Sequence, residues 1–170
     1  MSSYTENNSQ VPEMQENLEL LQNVPFFSAT PIKALKILAL LATREHFGPG
    51  DILFEEGDDQ GRAYLVLSGE LTLLRKNDKE KPVALHYTKG DYLGTFSLLG
   101  SIPSLFVLQA ATKVTVLTIT REQFAKVLGQ FPDTAKYALK ALLKELHQWE
   151  RKNIAEAGKC CLGKTGATVL

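Results

Sequence analysis

Cysteine is almost absent: the chain of 170 residues has two, Cys160 and Cys161, adjacent in sequence. Neighbouring thiols near one end cannot staple a fold, so a disulfide scaffold is excluded and a reducing, cytoplasmic setting is expected. An excess of either charge is also lacking, nineteen Lys and Arg standing against nineteen Asp and Glu. That balance removes the long-range attraction of a basic nucleic-acid or membrane binder, and neither nucleic acid nor membrane is expected as a partner. The first 30 residues contain no Lys or Arg and no long apolar run, so no secretory leader is expected.

Catalytic signatures are missing as well. There is no G-x-S-x-G elbow and no H-E-x-x-H pair, and His46, His86 and His147 stand far apart, without the Cys or carboxylate spacing of a zinc site. Enzyme activity, metal and cofactor are not expected. Gly158-Lys159-Cys160-Cys161-Leu162-Gly163-Lys164-Thr165 spells a P-loop string. A working P-loop needs a strand before it and a helix after it, and only five residues follow Thr165. The string is therefore read as part of a basic tail, in which Cys160-Cys161 and the terminal Thr168-Val169-Leu170 have no assigned role.

The charges that are present are unevenly placed. Four acids and no base precede residue 31, while seven bases face three acids from Thr134 onward. Between Tyr92 and Thr112 lie 21 consecutive uncharged residues. That length would span a bilayer, but Gly94, Gly100, Pro103, Gln109 and five Ser/Thr residues interrupt it. A lipid-facing helix would be broken and polar there, so a span is rejected.

Hydrophobic periodicity divides the rest. Residues 1–17 are polar and acidic and read as a flexible tail. A domain over 18–156 follows, and 157–170 reads as a flexible basic tail. Ile32, Leu35, Leu38, Ala39 and Ala42 form a helical stripe. The period then becomes alternating, with turn signals such as Gly48-Pro49-Gly50-Asp51, Gly57-Asp58-Asp59, Ser68-Gly69-Glu70 and Lys89-Gly90-Asp91 between short apolar runs. Strands are expected at Ile52–Phe54, Tyr64–Leu67, Leu71–Leu74, Val83–Tyr87, Leu105–Ala110 and Val114–Ile119. Many short strands without intervening helices predict an antiparallel roll or jelly roll. Thr120-Arg121-Glu122-Gln123 reads as a capping box opening a helix. A long helix is expected from Pro132 to Glu156, where Leu139, Leu142, Leu146 and Trp149 form a narrow apolar seam. The seam suits packing along the roll or pairing with a second copy. The fold class is thus mainly β with flanking helices: an antiparallel β-roll, N-terminal helices and a long C-terminal helix.

Phe47-Gly48-Pro49-Gly50-Asp51-Ile52-Leu53-Phe54-Glu55-Glu56-Gly57-Asp58, Tyr64-Leu65-Val66-Leu67-Ser68-Gly69-Glu70-Leu71 and Lys89-Gly90-Asp91-Tyr92-Leu93-Gly94 resemble successive signatures of the cyclic-nucleotide-binding domain family. The resemblance covers about Leu18 to Glu156 and places that family's phosphate-binding cassette in the charge-free window. It implies a regulatory domain in which a Glu after the cassette's glycine holds the ribose and an Arg after its Pro holds the phosphate. Here Thr95 stands at the Glu position, and Ser104, or Leu105 with a slip of one residue, at the Arg position. The candidate ligand site is Gly94, Thr95, Phe96, Ser97, Leu98, Ser104 and Leu105, with Leu139, Leu142, Leu146 and Trp149 as seam or lid. The expectation is a cassette with degraded contacts, binding cyclic nucleotide weakly or not at all. Signalling would then pass through a protein partner or homodimerisation. A ligand-free scaffold and a pocket re-aimed at a less charged small molecule are the alternatives. Fourteen residues after Glu156 are too few for a DNA-reading helix-turn-helix.

Overall fold

A computed structural model of the chain describes residues 7–75 and 83–157. Helix α1 (Asn7–Gln22) passes through a 3-10 turn (Pro25–Phe27) to α2 (Ile32–Leu41). Strands β1 (Thr43–Phe47), β2 (Ile52–Phe54), β3 (Arg62–Ser68), β4 (Leu71–Arg75), β5 (Val83–Tyr87) and β6 (Tyr92–Leu93) follow. The short helix α3 (Thr95–Leu99) precedes β7 (Val107–Ala110) and β8 (Val114–Thr120), and α4 (Arg121–Gln130) and α5 (Asp133–Ala157) complete the chain.

The strands form two four-stranded sheets, ordered β1-β8-β3-β6 and β2-β7-β4-β5, with antiparallel pairing throughout. This is the expected β-roll with flanking helices. The central strand β3 reads as a continuous apolar run from Ala63 to Leu67 because both of its faces are covered, while β8 alternates apolar residues with threonines, of which Thr118 is fully buried. On β3, Tyr64 and Val66 point into the space between the sheets, where Val114 and Val116 of β8 join them. Their neighbours Ala63, Leu65, Leu117 and Ile119 face the helices instead. Successive side chains alternate in direction along a strand, so a strand between two cores needs apolar residues at every position.

The helical core collects Leu18, Leu21, Phe26, Phe27, Leu35, Leu38 and Phe124 on that second face. Each fully buried side chain of this size contributes about 1.5–3 kcal/mol of transfer free energy. The capping box forms as expected: the Thr120 hydroxyl accepts from the Gln123 backbone N–H, and the Gln123 side chain accepts from the Thr120 N–H.

One expected boundary is wrong. Residues 1–17 do not form a tail throughout, because α1 is helical from Asn7. Its holding contacts are distant in sequence. The Arg44 guanidinium donates to the Asn17 carbonyl oxygen at 3.1 and 2.9 Å and to Glu16 at 2.9 Å. Glu13 lies 3.5 Å from the same group, and the buried Asn17 side chain also donates to the Ala39 carbonyl at 3.4 Å. Tertiary contacts thus order a segment too polar to order itself. At the other end, Cys160, Cys161 and Thr168-Val169-Leu170 lie outside the described residues.

Candidate functional site

The charge-free window becomes β6, α3 and the return segment into β7. Gly94 joins the first two with φ +97°, and a Cβ there would lie 2.5 Å from the Arg62 carbonyl oxygen and 2.8 Å from the Ala63 Cα. Only glycine combines that left-handed conformation with so close a backbone approach. The five residues of α3 then direct their side chains to two sides. Thr95 and Leu98, three apart, are both buried, and Leu98 packs in the helical core. Gly94, Phe96 and Ser97 face a cavity of about 180 Å³.

That cavity lies between α3 and the ends of β2 and β3. Phe54, Tyr64 and Leu93 form its inner wall, and Ile102, Pro103, Ser104, Leu105 and Phe106 bring the return segment against it. Of the sequence-nominated cassette residues, Gly94, Phe96, Ser97, Ser104 and Leu105 therefore meet around one space. Thr95 and Leu98 do not line it, because the 3.6-residue helical repeat turns them to the opposite side. Phe96 and Leu105 sit at the rim with 48% and 66% exposure.

Ser104 is occupied locally. Its hydroxyl donates to the Phe106 carbonyl oxygen at 2.8 Å and accepts from the Phe106 N–H at 3.2 Å. Its backbone pairs with the turn after β2, Ser104 N–H to Asp58 O at 2.9 Å and Gly57 N–H to Ser104 O at 2.8 Å. Among the described residues no charged side chain lines the cavity.

A charged cluster lies behind it, on the other side of α3. The Arg121 guanidinium donates from Nε to the Ser97 carbonyl oxygen at 2.7 Å, from Nη1 to Asp59 Oδ2 at 3.1 Å, and from Nη2 to Asp59 Oδ1. Ser101 Oγ donates to Asp59 Oδ2 at 2.6 Å, and the Arg121 backbone N–H to Gly61 O at 2.6 Å. The loop before β3, the end of α3 and the start of α4 are thereby tied together. The hydrogen bonds from Arg121 and Ser101 hold the Asp59 carboxyl well below its usual 3.8. Sequence reasoning missed this clamp, since 62 residues separate its two charges and the turn and capping signals that contain them say nothing about pairing at that distance.

Aromatic packing links the cassette to the helices. Tyr92, which begins β6, stacks on Phe26 with ring centroids 6.2 Å apart and meets Phe27 edge-on at 5.5 Å. Its hydroxyl is buried with no hydrogen-bond partner among the described residues. Burial, and secondarily the Glu145 carboxylate of α5, push its pKa far above 10.0. Burial likewise raises the Glu145 carboxyl.

Among the described residues, none from helix α5 lines the cavity. Leu139, Leu142 and Leu146, expected as seam or lid, thus stand away from the cavity in this structure. Leu139 is 56% exposed, Leu143 51% and Leu146 38%, with Leu142 partly buried. The face packed on the domain carries Thr134, Ala138 and Ala141 instead. These small residues let α5 approach the 3-10 turn closely and leave the leucines outside. Trp149 lies on α5, its side chain outside the described part. Among the histidines, His46 Nδ1 is 2.9 Å from Thr115 Oγ1 and His86 Nδ1 2.6 Å from Glu70 Oε1. Among the described residues no group of three His, Cys, Asp or Glu could hold a metal ion, and no helix is long and apolar enough to cross a membrane.

Comparison with known proteins agrees with this geometry. Residues 44–131 match the model of the family described as cyclic nucleotide-binding domain. A cAMP-dependent protein kinase regulatory subunit of Hypocrea atroviridis is 35% identical over 117 residues, 68% of this chain and 24% of that protein. The chain thus spans about a quarter of the length of the curated relatives it matches. Among solved structures, the N-terminal domain of a transcriptional regulator from Streptomyces coelicolor A3(2) superposes with a TM-score of 0.68. It is 25% identical, over 76% of this chain and 93% of that one. The regulatory subunit of a cAMP-independent protein kinase A from Trypanosoma brucei shares the fold, with a TM-score of 0.59 and 24% identity over 84% of this chain and 53% of that one. With its β-roll, its glycine-hinged cassette and a family match over residues 44–131, the chain belongs to the cyclic nucleotide-binding domain family and is a regulatory, non-enzymatic domain of it.

Proposed function

We propose that this regulatory domain binds cAMP and cGMP weakly or not at all and acts by docking a protein, a second copy of itself included. The observation that carries the reading is Ser104. It stands where the family resemblance expects the phosphate-binding arginine, and its hydroxyl is spent on Phe106. Losing one charge-assisted hydrogen bond of that kind costs about 1.5–3 kcal/mol, roughly ten- to a hundred-fold in affinity. The cavity of about 180 Å³ is also smaller than the roughly 300–1,000 Å³ of ordinary ligand pockets. The Trypanosoma brucei neighbour is itself described as belonging to a cAMP-independent kinase, so the fold occurs in a regulator of that kind.

Titration with cAMP and cGMP tests the reading, followed by Trp149 fluorescence and melting temperature. The expected result is no saturation in the micromolar range and no rise in melting temperature. Micromolar saturation with a clear upward shift overturns it, because a ligand that binds only the native state stabilises that state.

A second reading, a ligand-free interaction scaffold, is favoured by the Arg121–Asp59 clamp, which secures α3 from within the protein. The two readings share a docking surface. The exposed leucines of α5 are its best candidate, and a helix leaving such a stripe uncovered suits pairing with its own copy.

A further inference from the structure

We propose that the cassette cavity is a binding site for a compact, uncharged aromatic molecule, one ring or a fused pair carrying a single hydrogen-bonding group. The proposal rests on the reading that the charged nucleotide contacts are gone, and it names what the remaining space takes. Volume sets the size of the occupant. An apolar protein cavity of about 150 Å³ accepts benzene, and this one measures about 180 Å³, enough for a ring system but not for a base, a sugar and a phosphate together. The walls set the chemistry. Phe54 and Tyr64 are buried side by side between the sheets, their rings 6.4 Å apart and inclined by 24°. Phe96 and Phe106 add two further rings to the lining. Aromatic rings gain from edge and offset contacts with such neighbours beyond the area they bury.

Charge excludes the anions. Among the described residues no Lys, Arg or His lines the space, so a carboxylate or phosphate would lose its hydration there without a partner. Two polar groups remain for an orienting contact. Gln60 and Ser97 both line the cavity, and the side chain of neither makes a hydrogen bond within the described residues. The mouth between Phe96, Ile102 and Leu105, all substantially exposed, gives access without a lid.

Indole and phenol are the probes, with benzoate as charged comparator, titrated into the full chain and followed by ¹H–¹⁵N correlation spectra. Saturable shifts clustered at Gly94, Phe96, Ser97 and Leu105 are expected, with dissociation constants of about 0.1–1 mM for ligands of this size and benzoate at least about tenfold weaker. Ser97→Phe fills the space and should abolish the clustered shifts. Should that variant fail to fold, Phe96→Asp puts a charge at the exposed mouth and should weaken indole about tenfold or more. Scattered or non-saturating shifts, or benzoate binding as well as indole, overturn the proposal. A separate cAMP titration of the same sample keeps the two readings apart: micromolar cAMP binding defeats the loss of nucleotide affinity, whereas silence towards both cAMP and indole defeats only the aromatic site.

Discussion

Gly94 is the residue on which the cassette turns. With φ at +97° and the Arg62 carbonyl 2.5 Å from where a Cβ would sit, Gly94→Ala adds backbone strain and a steric clash at once. A loss of about 1–3 kcal/mol is expected, read as a lowered urea midpoint with unchanged slope; a variant as stable as the parent would show that β6 and α3 can separate freely. Arg44 carries a similar weight at the other end of the domain. Arg44→Ala leaves the buried Asn17 carbonyl unpaired, an expected cost of about 1–3 kcal/mol. Faster amide exchange confined to α1 would mark it. Alanine without effect on that exchange would mean that Leu18 and Leu21 hold α1 by themselves.

At the scale of elements, α3 is held by its clamp and α5 is exposed along its seam. Asp59 has its folded pKa below the ordinary 3.8, so the stabilisation it brings is complete above 3.8 and disappears only as pH falls through the lower, folded value. The difference in melting temperature between the parent and Arg121→Gln should therefore stay constant from neutral pH down to about 4 and close below it. A difference that vanished near pH 5 would mean that the carboxylate is not held as the hydrogen bonds indicate. For α5, Leu139→Glu with Leu146→Glu places two charges on the exposed stripe and should convert a dimer to a folded monomer in sedimentation velocity. If the parent protein already sediments as a monomer, the stripe does not pair copies.

For the molecule as a whole, two apolar cores share one sheet, and tyrosines lie in both. Burial pushes Tyr64 up to about 12 and Tyr92 further still. A phenol whose folded pKa exceeds its unfolded value contributes stability that is complete below about 10 and is lost as pH rises through the folded value. Stability should fall steeply above pH 10, with tyrosinate absorbance for these two residues appearing only as the chain unfolds; ionisation at pH 10 in the folded state would show that water reaches them. Strands β2, β3, β4, β5, β7 and β8, the capping box at Thr120 and Gln123, the long C-terminal helix and the family could be read along the chain, because hydrophobic period, turn residues and caps act over a few neighbouring positions; β1 and the two-residue β6 were not among the expected strands. The same nearness of cause made the uncharged window itself visible, since Thr95 and Ser104 are seen simply by their identity. Three features were decided only by the tertiary structure. The helix over residues 7–17 meets Arg44 through Glu13, Glu16 and Asn17, the clamp on α3 joins Asp59 to Arg121 across 62 residues, and the outward turn of Leu139 and Leu146 goes with the burial of Ala138 and Ala141 against the domain. Each arises where side chains far apart in sequence compete for one place, and the spacing of residues along a chain does not determine which of them wins it.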